Sequence, residues 1–270
     1  MSIISLSSDL GTNNFALAEF KASIALRFSQ HQVLDLFHNQ EVYDIESIAY
    51  QLLGALNTFP EGSIHLVYNK YAVQNSDILI TKLKNQFIIA PNNGILSLIH
   101  FLDFQSKVYR IDGQQVEKET YQSWIDALGY LIVDKLPPMV METNNFIQTK
   151  PFHSDLFLMD TKMITRVLHT DSIGNIVLNI QKEEFYDYLA DRAFFISFVS
   201  SKIFQLSPNY ATTYNPNHIG AIFNATGFLE LFMIGGNLAE LFNVNKWKNN
   251  KFEILIDHDT NREINFQPRA

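Results

Sequence analysis

The sequence contains no cysteine. This absence excludes disulfide bridges, thiolate-ligated zinc and thiol nucleophiles. Its eight histidines show no paired spacing such as His-Glu-x-x-His, and no Gly-x-Ser-x-Gly segment occurs. A zinc hydrolase or a serine hydrolase with a nucleophile elbow is therefore not indicated. We expect neither a metal nor another cofactor.

Basic residues are also few. The chain carries 20 Lys and Arg against 28 Asp and Glu, which gives a formal net charge of −8. Sequence-independent binding to nucleic acid depends on clustered Lys and Arg that neutralise phosphates. We therefore expect no nucleic-acid partner.

Long apolar runs are missing as well. No segment approaches the roughly 20 apolar residues that a membrane helix needs. The N-terminus lacks the basic region, apolar stretch and cleavage site of a secretory leader. These features predict no membrane partner and a cytoplasmic location.

Apolar and aromatic residues are plentiful. Hydrophobic residues make up 47% of the 270, including 22 Phe and 11 Tyr. A chain of this length favours two domains. So many aromatic residues are typical of a β-rich core or a buried subunit contact, so we expect an oligomer.

The first half of the chain alternates strand-like and helix-like segments. The patterns predict strands over 3–6, 32–37, 63–68, 78–82 and 86–90, and helices over 14–28, 44–56 and 119–134. Such alternation is typical of a mainly parallel sheet with helices on both faces. Ligands bind such sheets at the carboxyl ends of the strands. We predict an α/β domain over residues 1–145.

The second half is richer in strands. Period-two and apolar patterns predict strands over 163–169, 175–180, 194–199, 220–223, 228–234 and 252–257. The polar segment 142–150, which follows Pro137-Pro138, separates the two halves. We predict a smaller β domain, a barrel or sandwich, over residues 146–270.

The segment Ser8-Asp9-Leu10-Gly11-Thr12 ends the first predicted strand. The Asp9 carboxylate can accept hydrogen bonds from both hydroxyls of a ribose, and Gly11 lets the backbone approach a ligand closely. The helix N-terminus at Asn14 attracts negative groups. The alternative is that Asp9 or Asn13 simply caps this helix.

Three further polar segments can form binding loops. In Pro91-Asn92-Asn93-Gly94 the amides can hold a polar ligand, or the segment is an ordinary turn. Asp171 can bind an ammonium group and Asn175 an amide edge, or both belong to a hairpin loop. The segment from Asn224 to Glu230 can close over a ring system or only shape a barrel.

In order and spacing these four segments resemble the S-adenosylmethionine (SAM) hydroxide adenosyltransferase family, which is related to the SAM-dependent fluorinase and chlorinase. Ser8 to Gly11 matches its Thr-Asp-Phe-Gly segment, and Pro91 to Ser97 its Pro-Asp/Asn-Asn-Gly-Leu/Ile-Leu-Ser segment. Asp171 to Asn179 and Asn224 to Glu230 match two later segments. The resemblance covers nearly the whole chain.

The resemblance implies homotrimers that bind SAM between subunits. Asp9 would bind the ribose hydroxyls, Asn14 would lie near the methionine portion, and Asp171 and Asn175 would bind the amino-acid and adenosine portions. Tyr43 aligns with an aromatic near the ligand, although it can equally be an ordinary aromatic at a helix start. The matching segments add five candidate substrate-binding residues, Asn92, Asn93, Asn224, Thr226 and Glu230.

The sequence departs from the family at its catalytic positions. The family's Asp falls on Lys70 and its Arg on Asp77, and the segment with its His has no clear match. Lys70 and Asp77 are therefore the catalytic candidates, either as a swapped ion pair or as an exposed loop pair.

Two functions remain open from the sequence. The first is an enzyme that hydrolyses SAM to adenosine and methionine by displacement at the ribose C5′ carbon. The second is a protein that binds SAM or adenosine and has lost catalysis.

Overall fold

The structure, a computed structural model, describes residues 2–38, 44–70, 77–100, 103–112, 121–190, 192–198, 201–211, 217–244 and 251–256. The chain divides into two compact units, Met1–Pro151 and Phe152–Ala270. The sequence-based division lies after residue 145.

A mixed sheet forms the centre of the N-terminal unit. In the described part, its seven strands are β1 (Ile3–Ser8), β2 (Gln32–His38), β3 (Ile64–Tyr68), β4 (Ile78–Leu83), β5 (Gln86–Pro91), β6 (Val108–Ile111) and β7 (Met141–Glu142). They follow the order β2-β1-β3-β5-β4-β6-β7. The first four strands in this order are parallel, whereas β4, β6 and β7 add antiparallel pairings.

Four helices accompany this sheet in the described residues: α1 (Phe15–Arg27), α2 (Ile45–Thr58), α3 (Ile95–Ile99) and α4 (Gln122–Leu131). Side-chain caps fix where the first two begin. Asn14 accepts a hydrogen bond from the backbone N of Ala16 at 2.9 Å, and Asp44 accepts one from Ser47 at 3.1 Å. Such caps satisfy amide groups that would otherwise lack a partner in the helix.

Alternating strand residues build a core on each face of the sheet. On one face, α1 contributes Phe20 and α4 contributes Trp124, and both pack in a cluster with strand residues such as Leu6 and Leu66. Each of these side chains is essentially inaccessible to solvent, and burying one contributes about 1.5–3 kcal/mol. Helices on both faces agree with the predicted α/β architecture.

A polar network crosses the interior on the α2 face. The fully buried His65 lies with Nδ1 at 2.7 Å from Ser5 Oγ and Nε2 at 2.7 Å from Gln86 Oε1. The Gln86 amide donates in turn to the carbonyl of Leu56 at 3.0 Å. Burial lowers the pKa of His65 below its ordinary value, although the Gln86 hydrogen bond opposes this change. The network ties β1, β3 and β5 to α2.

The C-terminal unit is an antiparallel β domain. Its described strands are β8 (Phe157–Leu158), β9 (Lys162–Thr170), β10 (Ile176–Gln181), β11 (Phe194–Phe198), β12 (Ser201–Ile203), β13 (Ile219–Phe223), β14 (Phe228–Met233) and β15 (Lys251–Ile256). They follow the order β12-β11-β15-β9-β10-β14-β13, with β8 beside β9. The end strands β12 and β13 contact each other, so the sheet curls toward a barrel.

Two helices, α5 (Lys182–Leu189) and α6 (Leu238–Leu241), and a 3-10 turn at Phe152–Asp155 complete the described part of this unit. Phe185 of α5 is fully buried against the sheet, with edge-on contacts to Phe194 at 5.1 Å and Phe223 at 5.3 Å between ring centroids. The predicted fold class is confirmed. No helix in the described residues is long and apolar enough to cross a membrane.

Candidate functional site

The connections of the N-terminal sheet create a crevice at the carboxyl end of β1. The chain passes from β1 through α1 to β2 on one side of β1, and then through α2 to β3 on its other side. Because right-handed crossovers place α1 and α2 on opposite faces, the carboxyl ends of β1 and β3 border an opening. Ser8 is paired with both His38 and Tyr68 in this register. The residues after Ser8 and Tyr68 therefore meet at the crevice.

Asp9 lies at this position. Its side chain is buried, and Oδ1 accepts a hydrogen bond from the backbone N of Lys70 at 2.8 Å. A carboxylate has acceptor sites for about four hydrogen bonds, so it can accept from more than one donor at a time. The N-cap of α1 is Asn14, not Asp9. Gly11 follows at φ 72°, in the left-handed region that favours glycine.

Tyr68 adds a neutral phenol beside this carboxylate. Burial, the charge of Asp9 and, to a smaller extent, Tyr121 raise the pKa of Tyr68 to about 12. The ring packs edge-on against Phe20 at 5.1 Å and Trp124 at 5.8 Å between centroids. Its hydroxyl therefore stays protonated at neutral pH and keeps a hydrogen to donate.

A histidine that the sequence patterns did not indicate supports the same turn. His38 Nδ1 lies 2.7 Å from Ser8 Oγ, which in turn accepts the backbone N of Leu10 at 3.3 Å. On the other side of the ring, His38 Nε2 lies 3.2 Å from an oxygen of Asp35. Ser8 and His38 are 30 residues apart, so only the parallel register of β1 and β2 brings them together.

Three predicted binding residues of this unit have structural partners. Asn14 caps α1. Asn92 Oδ1 accepts a hydrogen bond from the backbone N of Ile147 at 2.8 Å. Asn93 Oδ1 accepts one from the backbone N of Ile95 at 3.2 Å. A Cβ on Gly94 would lie 2.2 Å from Thr149 Cγ2, so the turn is packed closely against the segment around Thr149. Contacts of these asparagines with a ligand stay predictions.

The two catalytic candidates have different surroundings. The Lys70 side chain is exposed, and its backbone N holds Asp9. The Asp77 carboxylate lies 3.5 Å from the guanidinium of Arg110, and its backbone carbonyl accepts the N of Asn92 at 2.9 Å. Arg110 of β6, like His38, is a residue that the sequence patterns did not indicate. The catalytic roles of Lys70 and Asp77 stay predictions, and Tyr43 lies outside the described residues.

In the C-terminal unit, Asp171 shapes the loop between β9 and β10. Its Oδ1 accepts hydrogen bonds from the backbone N of Asn175 at 2.8 Å and from the backbone N of Ile173 at 3.1 Å. Its Oδ2 accepts the Asn175 side-chain amide at 2.9 Å. The two predicted residues are thus in contact in a hairpin loop, and their binding of a ligand stays a prediction.

In the segment from Asn224 to Glu230 the polar side chains form hydrogen bonds with each other, and their binding of a ligand stays a prediction. Glu230 is buried and accepts hydrogen bonds from Tyr210 Oη and from the Asn224 amide, both at 2.9 Å. Asn224 Oδ1 accepts the hydroxyl of Thr226 at 2.6 Å. Tyr210 was not predicted. It lies in a turn between β12 and β13, 20 residues before Glu230, so no local pattern shows this contact.

The described residues contain no group of three or more His, Asp or Glu side chains that could hold a metal ion. The chemistry that these residues offer is hydrogen bonding to hydroxyl, amide and ammonium groups.

Family models match both units. The model of the SAM hydroxide adenosyltransferase N-terminal domain matches residues 4–126, and that of the C-terminal domain matches residues 165–249. Among curated proteins, the (R)-S-adenosyl-L-methionine hydrolase of Methanocaldococcus jannaschii is 24% identical over 90% of this chain and 93% of its own. That of Thermus thermophilus is 29% identical over 39% of this chain and 41% of its own.

Solved structures show the same fold. A conserved protein of Thermotoga maritima superposes with a TM-score of 0.79 at 18% identity, covering 93% of this chain and 99% of its own. A Thermus thermophilus protein gives 0.67 at 19% identity, covering 95% and 100%. With both domain models matched along most of its length, the chain belongs to the SAM hydroxide adenosyltransferase family.

Proposed function

We propose that this protein hydrolyses SAM to adenosine and methionine. The observation that carries the proposal is the buried Asp9 carboxylate, held by the Lys70 amide at the β1/β3 crevice of a chain that belongs to this family. The ligand is accordingly a small molecule.

The reaction is a displacement at the ribose C5′ carbon. The oxygen of water forms a bond to C5′ while the bond from C5′ to sulfur breaks, and sulfur keeps the electron pair as the neutral thioether of methionine. The attacking water loses a proton to solvent. Because the sulfonium is already a good leaving group, alignment of water with the C5′ to sulfur bond supplies much of the catalysis. No redox step occurs, so the proposal includes no cofactor.

Asp9 binds the ribose in this proposal. Two adjacent hydroxyls donate to the carboxylate, and such charge-assisted hydrogen bonds are stronger than neutral ones. The Lys70 amide fixes the orientation of the carboxylate before the ligand arrives, which reduces the entropy lost on binding. The protonated Tyr68 hydroxyl is a further donor at the same edge.

The names of the curated relatives support a proposal for which epimer of SAM is the substrate. Both curated relatives are named (R)-S-adenosyl-L-methionine hydrolases, and we extend the R configuration at sulfur to this chain. Lys70 and Asp77 remain the proposed catalytic residues, with the guanidinium of Arg110 beside Asp77. No observation favours the alternative of binding without turnover.

Assembly and location belong to the same proposal. The resemblance supports a homotrimer with the sites at subunit contacts, in the cytoplasm and without nucleic-acid or membrane partners. Light scattering of the purified protein tests the assembly, because a trimer has three times the 31.0 kDa of one chain.

The direct test supplies purified protein with SAM that contains both sulfonium epimers and follows adenosine and methionine by chromatography. We expect equal molar amounts of the two products, with the R epimer consumed and the S epimer left. No adenosine would reject hydrolysis. A raised melting temperature with SAM but no product would instead support the binding protein, because a ligand stabilises the state that binds it.

A further inference from the structure

A chain of hydrogen bonds leads from the protein surface to the Asp9 turn. Lys21 Nζ of α1 donates to Asp35 Oδ2 at 2.8 Å, and the other oxygen of Asp35 lies 3.2 Å from His38 Nε2. His38 Nδ1 lies 2.7 Å from Ser8 Oγ. The last hydrogen bond of this series is donated by the backbone N of Leu10 to Ser8 Oγ.

The partners assign the direction of each bond. Asp35 accepts, so His38 Nε2 carries the hydrogen, and Nδ1 is left as an acceptor for the Ser8 hydroxyl. This is the neutral imidazole, and burial lowers the pKa of His38 although Asp35 opposes the change. Ser8 then has a lone pair for the Leu10 amide. With His38 in this form, every group in this series of hydrogen bonds has a partner.

The contacts do not fit a nucleophilic serine. In serine hydrolases the serine contacts Nε2 of the histidine and the aspartate contacts Nδ1, whereas here the two nitrogens are exchanged. Ser8 is also 0% exposed, so a substrate carbon has no path to its oxygen. This series of hydrogen bonds is suited to holding a turn, not to attacking a substrate.

We propose that His38 is a positioning residue for substrate binding, because it fixes Ser8 and thereby the backbone on both sides of Asp9. This inference rests on the proposed function, since the turn that it fixes carries the proposed ribose carboxylate. The side chain of His38 is 3% exposed, so the contact with Ser8 is shielded from water that would compete for it.

The test compares three variants. His38→Leu removes the acceptor, His38→Asn places an amide oxygen where Nδ1 was, and His31→Leu is the matched control. His31 precedes β2 at its opposite end, where its Nδ1 accepts the backbone N of Ser2 at 3.3 Å. The measurements are kcat/KM for adenosine release and hydrogen–deuterium exchange of the peptide that contains Leu10.

We expect His38→Leu to lower kcat/KM by about tenfold to a hundredfold, as for loss of a buried hydrogen-bond acceptor, and to speed exchange at Leu10 by at least about tenfold. His38→Asn should stay within about threefold of the wild type in both measurements. His31→Leu should match the wild type. A merely structural role would speed exchange across β1 and β2 and lower the free energy of unfolding in urea, whereas the positioning role confines the faster exchange to the peptide that contains Leu10.

Unchanged exchange at Leu10 in His38→Leu, or equal losses in His38→Leu and His38→Asn, would overturn the inference. Labelling of Ser8 by a serine-reactive fluorophosphonate would overturn it too, in favour of a nucleophile. If the wild type releases no adenosine, the proposed function fails, and the exchange measurement still decides whether His38 holds the turn.

Discussion

Two buried histidines in one sheet serve different regions of the molecule. His65 bridges Ser5 and Gln86 in the interior, where each of the three side chains is at most 2% exposed. His38 bridges Ser8 and Asp35 at the carboxyl edge, where the network reaches a half-exposed carboxylate. Both use Nδ1 toward a serine of β1. The interior network contains only uncharged partners and joins strands. The edge network runs from the charged pair Lys21 and Asp35 to the backbone N of Leu10 and supports the Asp9 turn.

A histidine that contacts a serine of β1 thus serves two purposes in this sheet. A polar network inside a core must be fully satisfied, because an unpaired buried group costs about 1–3 kcal/mol. At the end of a strand, a histidine–serine contact can fix a loop that carries a ligand-binding carboxylate. Changes at the edge should therefore alter activity, and changes in the interior should alter stability.

The largest effect is expected at the edge. Asp9→Asn keeps an oxygen for the Lys70 amide but removes the negative charge that accepts the ribose hydroxyls in the proposed function. Two weakened charge-assisted hydrogen bonds, each about 1.4 kcal/mol, correspond to a loss of about a hundredfold in kcat/KM. Steady-state kinetics measure this loss, and urea unfolding serves as the control for stability. Activity within threefold of the wild type would reject the ribose assignment.

The next effect is expected in the interior. His65→Leu leaves Ser5 Oγ and Gln86 Oε1 without their histidine partner in a buried place. We expect the free energy of unfolding to fall by about 2 kcal/mol, while kcat/KM of the folded protein stays within about twofold. Urea unfolding of His65→Leu beside His31→Leu measures the difference. A large loss of activity at unchanged stability would break the distinction between the two regions.

The smallest effect concerns pH. The folded pKa of His65 is lower than its ordinary value of 6.5, so the unfolded state binds more protons as the pH falls below about 6.5. Stability is therefore fully present above that pH and declines toward the lower folded pKa, by at most about 1.4 kcal/mol per pH unit for one histidine.

This decline should be shallower in His65→Leu. Unfolding free energies of both proteins between pH 7.5 and 5 provide the comparison, and the contribution of His38 is common to the two. Equal slopes would show that His65 does not titrate differently in the folded and unfolded states.

Much of the fold follows from local sequence. Apolar runs such as Ile64–Tyr68 become strands because both faces of the sheet are covered, and Asp44 predicts where α2 begins. The helix Ile95–Ile99 was not predicted because five residues are too few to show a helical period. The helix Lys182–Leu189 was missed too, because its N-cap residue is Gln181, which is not among the residues that mark the start of a helix in a sequence.

The site was only partly predictable. A polar residue at the end of a first strand indicated Asp9, since ligands bind where the strand order reverses. His38 and Arg110 gave no local signal, because their partners Ser8 and Asp77 are distant in sequence and meet them only through strand pairing. Asn14, which the resemblance placed near methionine, caps a helix in the structure.

The proposed reaction is attack of water on the ribose C5′ carbon of SAM. The most direct measurement is a reaction in water enriched in oxygen-18, with mass spectrometry of the nucleoside product. Attack by water should give adenosine that carries the heavy oxygen in its 5′-hydroxyl, in amounts equal to methionine. Absence of adenosine, or adenosine without the label, would contradict it.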